Sequence, residues 1–112
     1  MKKVVITYSR PPYGTAHFTE GLRLASGMGF DEHEAKLVFL EEGAYCAIKG
    51  VDKAPAEQFL DTIAEFGYPF YVERESLQEN GIDETEVDPM FKVVSREEVA
   101  EMLRESDIHL GV

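Results

Sequence analysis

The chain contains one cysteine, Cys46, and no tryptophan. A single cysteine excludes an intramolecular disulfide and any C-x-x-C redox or zinc pair. The histidines His17, His33 and His109 are scattered, with no metal-ligand spacing between them. Neither a metal nor a cofactor is therefore expected. Basic residues are scarce: 11 Lys and Arg face 22 Asp and Glu, for a formal charge of −11. That field repels nucleic acid and anionic membrane surfaces, so direct nucleic-acid binding is not expected. It favours partners that carry a basic patch. No apolar run approaches the length of a membrane span. The apolar run after Met1-Lys-Lys is too short for a signal peptide and lacks a small-residue cleavage site. A cytoplasmic location is the expectation.

What is present is ordinary soluble-protein composition, 44% hydrophobic and 29% charged over 112 residues. That length suits one domain, residues 1–112, with a single core. Val4-Val-Ile-Thr-Tyr8 is β-branched and nearly continuous, as in a strand covered on both faces. Apolar spacing predicts a helix over 16–28, a strand over 35–40, and a short helix over 44–49 after the turn Glu41-Glu-Gly43. Phe59, Leu60, Ile63 and Phe66 mark the buried stripe of another helix, ended by Gly67. A strand over 69–72, a small helix over 76–80 stopped by Gly81, and an irregular acidic stretch over 82–89 follow. Phe91-Lys-Val-Val94 is the fourth strand, and Ser95-Arg-Glu-Glu98 has the form of a capping box. Val99, Met102 and Leu103 give the last helix its core face, and Ile108-His-Leu110 closes the chain as a strand. Strands alternating with helices predict an α/β three-layer sandwich with a mostly parallel sheet of about five strands.

Candidate chemistry gathers where strands end, because open α/β sheets bind and react at their carboxyl edge. The loop Ser9 to Thr15 has one glycine and two prolines, unlike a P-loop or a Rossmann turn. Arg10, Tyr13, Gly14 and Thr15 there form either a stiff interface loop or a small anion site through Arg10 and Thr15. Glu41, Glu42 and Glu73 also fall at this edge, as a solvated acidic face or as a converging set. Cys46 lies in the first turn of the short helix expected over 44–49, where dipole and free amides favour a thiolate. Glu41 and Glu42 oppose that by raising the thiol pKa, and free cysteine is often simply buried. His17 begins the preceding helix at the same edge, within conceivable reach of Cys46.

Four segments in order resemble the DsrE/DsrF/DsrH (TusBCD-like) sulfur-relay family. They are Pro12-Tyr-Gly-Thr15, Val38-Phe-Leu-Glu-Glu-Gly-Ala-Tyr45, Tyr71-Val-Glu-Arg-Glu-Ser-Leu-Gln-Glu-Asn-Gly-Ile82 and Glu105-Ser-Asp-Ile-His-Leu110. The resemblance covers nearly the whole chain and is greatest to the DsrF/TusC branch. It implies a compact α/β subunit that assembles with relatives into a heterohexamer passing persulfide sulfur between cysteines. Chemically such a relay is thiol exchange, a thiolate taking the terminal sulfur of a donor persulfide. The DsrE/TusD branch carries its sulfur-accepting cysteine at the end of the third strand. Glu73 occupies that place here, and a carboxylate cannot carry a persulfide.

Three readings follow. In the first, the chain is a non-catalytic or accessory DsrF/TusC-like subunit. Its loops, with Arg10–Thr15 and Glu41, Glu42 and Tyr45, face DsrE- and DsrH-like (or TusD- and TusB-like) partners, or further copies of itself. In the second, the chain is a stand-alone sulfur carrier and sulfurtransferase using Cys46. In the third, it is a small anion-binding module using Arg10–Thr15.

Overall fold

The computed structural model describes residues 2–9, 23, 33–49 and 57–112. Strands β1 (Lys3–Tyr8), β2 (Glu34–Phe39), β3 (Phe70–Glu73), β4 (Phe91–Val94) and β5 (Ile108–Gly111) form one sheet in the order β4-β3-β2-β1-β5. Every neighbouring pair is parallel. The described helices are α1 (Glu57–Glu65), α2 (Arg74–Glu79) and α3 (Arg96–Glu105), with 3₁₀ segments at Glu41–Ala47 and Glu84–Glu86. The helix expected over 16–28 lies outside the described residues except for Arg23, which is helical and exposed.

The strand order explains the layers. From β1 to β4 the chain steps outward in one direction, then returns to place β5 on the other side of β1. Right-handed crossovers put helices of opposite steps on opposite faces. Accordingly Leu60, Ile63 and Leu77 pack with Val4, Ile6, Leu37 and Phe39 on one face. Val99, Met102 and Leu103 of α3 pack with Val5, Val38 and Val94 on the other. Alternation along each strand does the sorting. The three-layer α/β architecture read from the sequence is the one observed, with the sheet wholly parallel.

The first core is built around stacked aromatics. Tyr8 lies on Phe39 at 4.7 Å between ring centroids, and Phe91 meets Phe39 edge-on at 5.1 Å. Such pairs contribute about 0.5–1.5 kcal/mol each beyond the area they bury. Burial pushes the Tyr8 phenol well above its ordinary range, because its anion has no place among apolar rings.

Local departures from expectation have local causes. Instead of a turn and then a helix over 44–49, a 3₁₀ helix begins at once after β2, spanning Glu41–Ala47. Glu41 adopts a left-handed φ of 52°, and the Gly43 amide closes back onto the Leu40 carbonyl at 2.9 Å. Past Ala47 the backbone is drawn out: Ile48 bridges Val87, and the Asp88 amide donates to the Ala47 carbonyl at 2.7 Å. That tether leaves no length for a regular α-turn. Phe66, assigned by spacing to a buried stripe, is 37% exposed, because α1 ends one residue earlier at Glu65. The capping box of α3 forms as expected: Ser95 Oγ accepts from the Glu98 amide at 3.1 Å while Glu98 Oε1 accepts from the Ser95 amide at 3.3 Å.

Gly43 is fixed by proximity. A Cβ there would lie 1.9 Å from the Tyr8 carbonyl oxygen, on backbone that cannot yield. Gly43→Ala is expected to destabilise the protein by at least about 2 kcal/mol in urea unfolding, at the overpacking end of core substitutions. Tyr8 gives a second expectation. Its folded pKa is raised, so its contribution is fully present below about pH 10, where an unfolded tyrosine starts to ionise, and is lost above it. One tyrosine should therefore ionise only together with loss of structure in an ultraviolet alkaline titration, and Tyr8→Phe should abolish that phase.

Candidate functional site

The carboxyl edge of the sheet carries a polar node centred on Glu73. Phe70 and Val72 of β3 face the first core, so alternation turns Glu73, the last strand residue, toward α3. Its side chain is almost fully buried, with 5% of the residue exposed. Three residues on, in the first turn of α2, the buried Ser76 hydroxyl donates to Glu73 Oε1 at 2.6 Å. The same oxygen of Ser76 accepts the Glu41 backbone amide at 2.8 Å. Arg96, the first residue of α3, donates to Glu73 Oε1 from Nη2 at 2.9 Å and from Nε at 3.2 Å. Its Nη2 also reaches Glu79 at 3.0 Å, and its backbone amide donates to Glu75 at 2.8 Å. Hydrogen bonds to Glu73, then to Glu79, hold the guanidinium above its ordinary pKa.

A second set of bonds fastens the loop after β2 to α2. Asn80 Nδ2 donates to the Glu41 carbonyl at 2.8 Å and to the Ser76 carbonyl at 2.7 Å. The Tyr45 hydroxyl donates to the Asn80 carbonyl at 3.5 Å. The side chains of Glu41 and Glu42 are exposed, and Glu41 enters the node through its backbone rather than its carboxylate. Glu73 is thus neutralised by Arg96 and oriented by Ser76. A carboxylate whose Oε1 is so occupied acts as an anchor for the fold.

Cys46 is elsewhere. It is fully buried in the first core beside Ala44 and Ala47. It is the sixth of the seven residues of the 3₁₀ helix rather than in a first turn, so the amide and dipole argument for a thiolate does not hold. Complete burial there blocks the approach of a sulfur donor. Arg10, Tyr13, Gly14, Thr15 and His17 lie outside the described residues. The sequence reading placed Glu73 at the strand end but missed Ser76, Asn80 and Arg96. The capping box carried the missing signal: it sets the start of α3 immediately after β4, so Arg96 must emerge at the same edge as Glu73. No helix among the described residues is long and apolar enough to cross a membrane.

Comparison with known proteins agrees with the fold. The family model of the DsrE/DsrF-like family matches residues 2–111. The intracellular sulfur oxidation protein DsrF of Allochromatium vinosum is 27% identical, covering 96% of this chain and 93% of its own length. The crystal structure of the ychN protein from E. coli superposes with a TM-score of 0.84 at 20% identity, over the whole of both chains. A protein of unknown function from Methanobacterium thermoautotrophicum gives 0.73 at 13% identity, again over both whole chains. At those identities the two structures speak for the fold alone.

If Glu73 is an anchor, its removal is felt in stability. Glu73→Ala leaves the buried Ser76 hydroxyl without its acceptor and is expected to cost about 1–3 kcal/mol in urea unfolding. In a double-mutant cycle with Arg96→Met, the two changes are expected to be clearly non-additive. Additive effects would mean that the pair is not coupled.

Proposed function

The chain belongs to the DsrE/DsrF-like family, and we propose that it serves there as a DsrF/TusC-like accessory subunit of an intracellular sulfur relay, shaping the assembly without carrying sulfur. The observation that carries this reading is the state of Glu73. It stands where the sequence resemblance puts the sulfur-accepting cysteine of the DsrE/TusD branch. There it is buried and tied to Ser76 and Arg96. Persulfide transfer needs an attacking sulfur that a donor can reach. The carboxylate offers none, and Cys46 is sealed in the core. The DsrF relative, matched over nearly its full length, supports the sulfur-oxidation context.

On this reading the subunit's contribution is a surface. The loop carrying Glu41, Glu42 and Tyr45 is held to α2 by Asn80 and so is presented in one conformation. The net charge of −11 favours partners with a complementary basic patch and steers their encounter. The partners are DsrE- and DsrH-like subunits (or TusD- and TusB-like ones), with self-association as the arrangement when they are absent.

Native mass spectrometry tests this directly. The chain mixed with DsrE- and DsrH-like subunits is expected to enter a hetero-oligomer containing all three, and alone to self-associate. Stable monomers that ignore both relatives would overturn the proposal.

A further inference from the structure

The opposite, amino-terminal edge of the sheet holds a cavity of about 440 Å³, within the size range of small-molecule sites. Its lining mixes apolar bulk with charge of both signs. Phe66, Tyr68 and Met102 supply the bulk, and Lys3, Lys36, Glu34 and Glu105 the charge. Phe66 and Tyr68 lie 5.8 Å apart between ring centroids, forming an aromatic wall. The Tyr68 hydroxyl donates to the His33 carbonyl, which fixes that ring in place.

The charges follow from strand geometry. Lys3 and Glu34 are cross-strand partners in the β1–β2 register, and Lys36 lies two residues beyond Glu34. Alternation puts all three on the face that α3 covers, because Val4 and Ala35 face the first core. Lys3 and Glu34 sit side by side, yet no ion pair joins them, and none engages Lys36 among the described residues. Lys36 is only half-exposed. The Lys36 ammonium, not tied into an ion pair among the described residues, can turn to a ligand's anion. On β2, Glu34 and Lys36 point the same way and stand roughly 7 Å apart at their backbones. A small head group bearing both charges fits between two such side chains.

We propose that this cavity binds a free α-amino acid with an apolar or aromatic side chain, its carboxylate on Lys36 and its ammonium on Glu34. The side chain lies against the Phe66–Tyr68 wall and Met102. A ligand with one charge satisfies only half of the pair, and an amino acid satisfies both from one carbon atom. This site is at the other end of the sheet from Glu73 and does not depend on the sulfur-relay reading.

Isothermal titration calorimetry of the full chain with L-phenylalanine and L-leucine tests the proposal. Saturable binding is expected, with 3-phenylpropanoate and phenethylamine, each lacking one charge, about tenfold weaker. Lys36→Met is expected to weaken L-phenylalanine binding about tenfold, and Lys36→Arg to retain it. Circular dichroism melts identify a variant that fails to fold, and Glu34→Gln, at an exposed position, gives an independent reading. Absence of heat at millimolar amino acid would overturn the proposal. So would equal affinity for 3-phenylpropanoate, or binding unchanged in both Lys36→Met and Glu34→Gln.

Discussion

One buried carboxylate oxygen, Glu73 Oε1, joins more of this molecule than any other polar atom described. Through Ser76 it reaches the loop after β2, and through Arg96 it reaches the start of α3 and, beyond it, Glu79 on α2. Burying a carboxylate is unfavourable unless its charge is matched and its lone pairs are used. Arg96 matches the charge, and Arg96 and Ser76 together occupy Oε1. Because Arg96 is half-exposed, the guanidinium keeps part of its hydration while still facing the buried anion. The arrangement avoids much of the desolvation that makes fully buried pairs unfavourable.

That interaction sets what the carboxyl edge can do. In parallel sheets this edge gathers loops and helix starts, and it is the usual place for chemistry. Here the strand-end position is filled by a carboxylate hydrogen-bonded within the protein, and the loop after β2 is tied down by Asn80 and Tyr45. The sole thiol lies within the first core, behind backbone that passes within contact of β1 at Gly43. The cavity at the amino-terminal end has a different character, lined by side chains of both signs.

Much of this was legible in the sequence, and the physical reasons are particular. Val4 to Tyr8 reads as a doubly covered strand because its neighbours on both faces are apolar, and β1 does lie between β2 and β5. The Ser95 box marked α3 because capping is local chemistry. The placement of Cys46 in a first helical turn failed for the opposite reason. Its environment depends on two tethers from the end of the 3₁₀ segment to a stretch far along the chain, Ile48 bridging Val87 and the Ala47 carbonyl accepting the Asp88 amide. Nothing within a window of the sequence reveals such a tether. Ser76 and Arg96 escaped notice because their importance lies in a third residue, Glu73, whose facing depends on strand alternation and whose burial depends on α3.

The central claim is that this chain contributes surface and not sulfur chemistry. Intact-mass analysis of the folded protein after incubation with a persulfide donor tests it most directly, with the wild type beside Cys46→Ser. The account predicts an unchanged mass for both, with Cys46 becoming alkylatable only on unfolding. A gain of one sulfur in the wild type, absent in Cys46→Ser, would contradict it and make Cys46 a carrier.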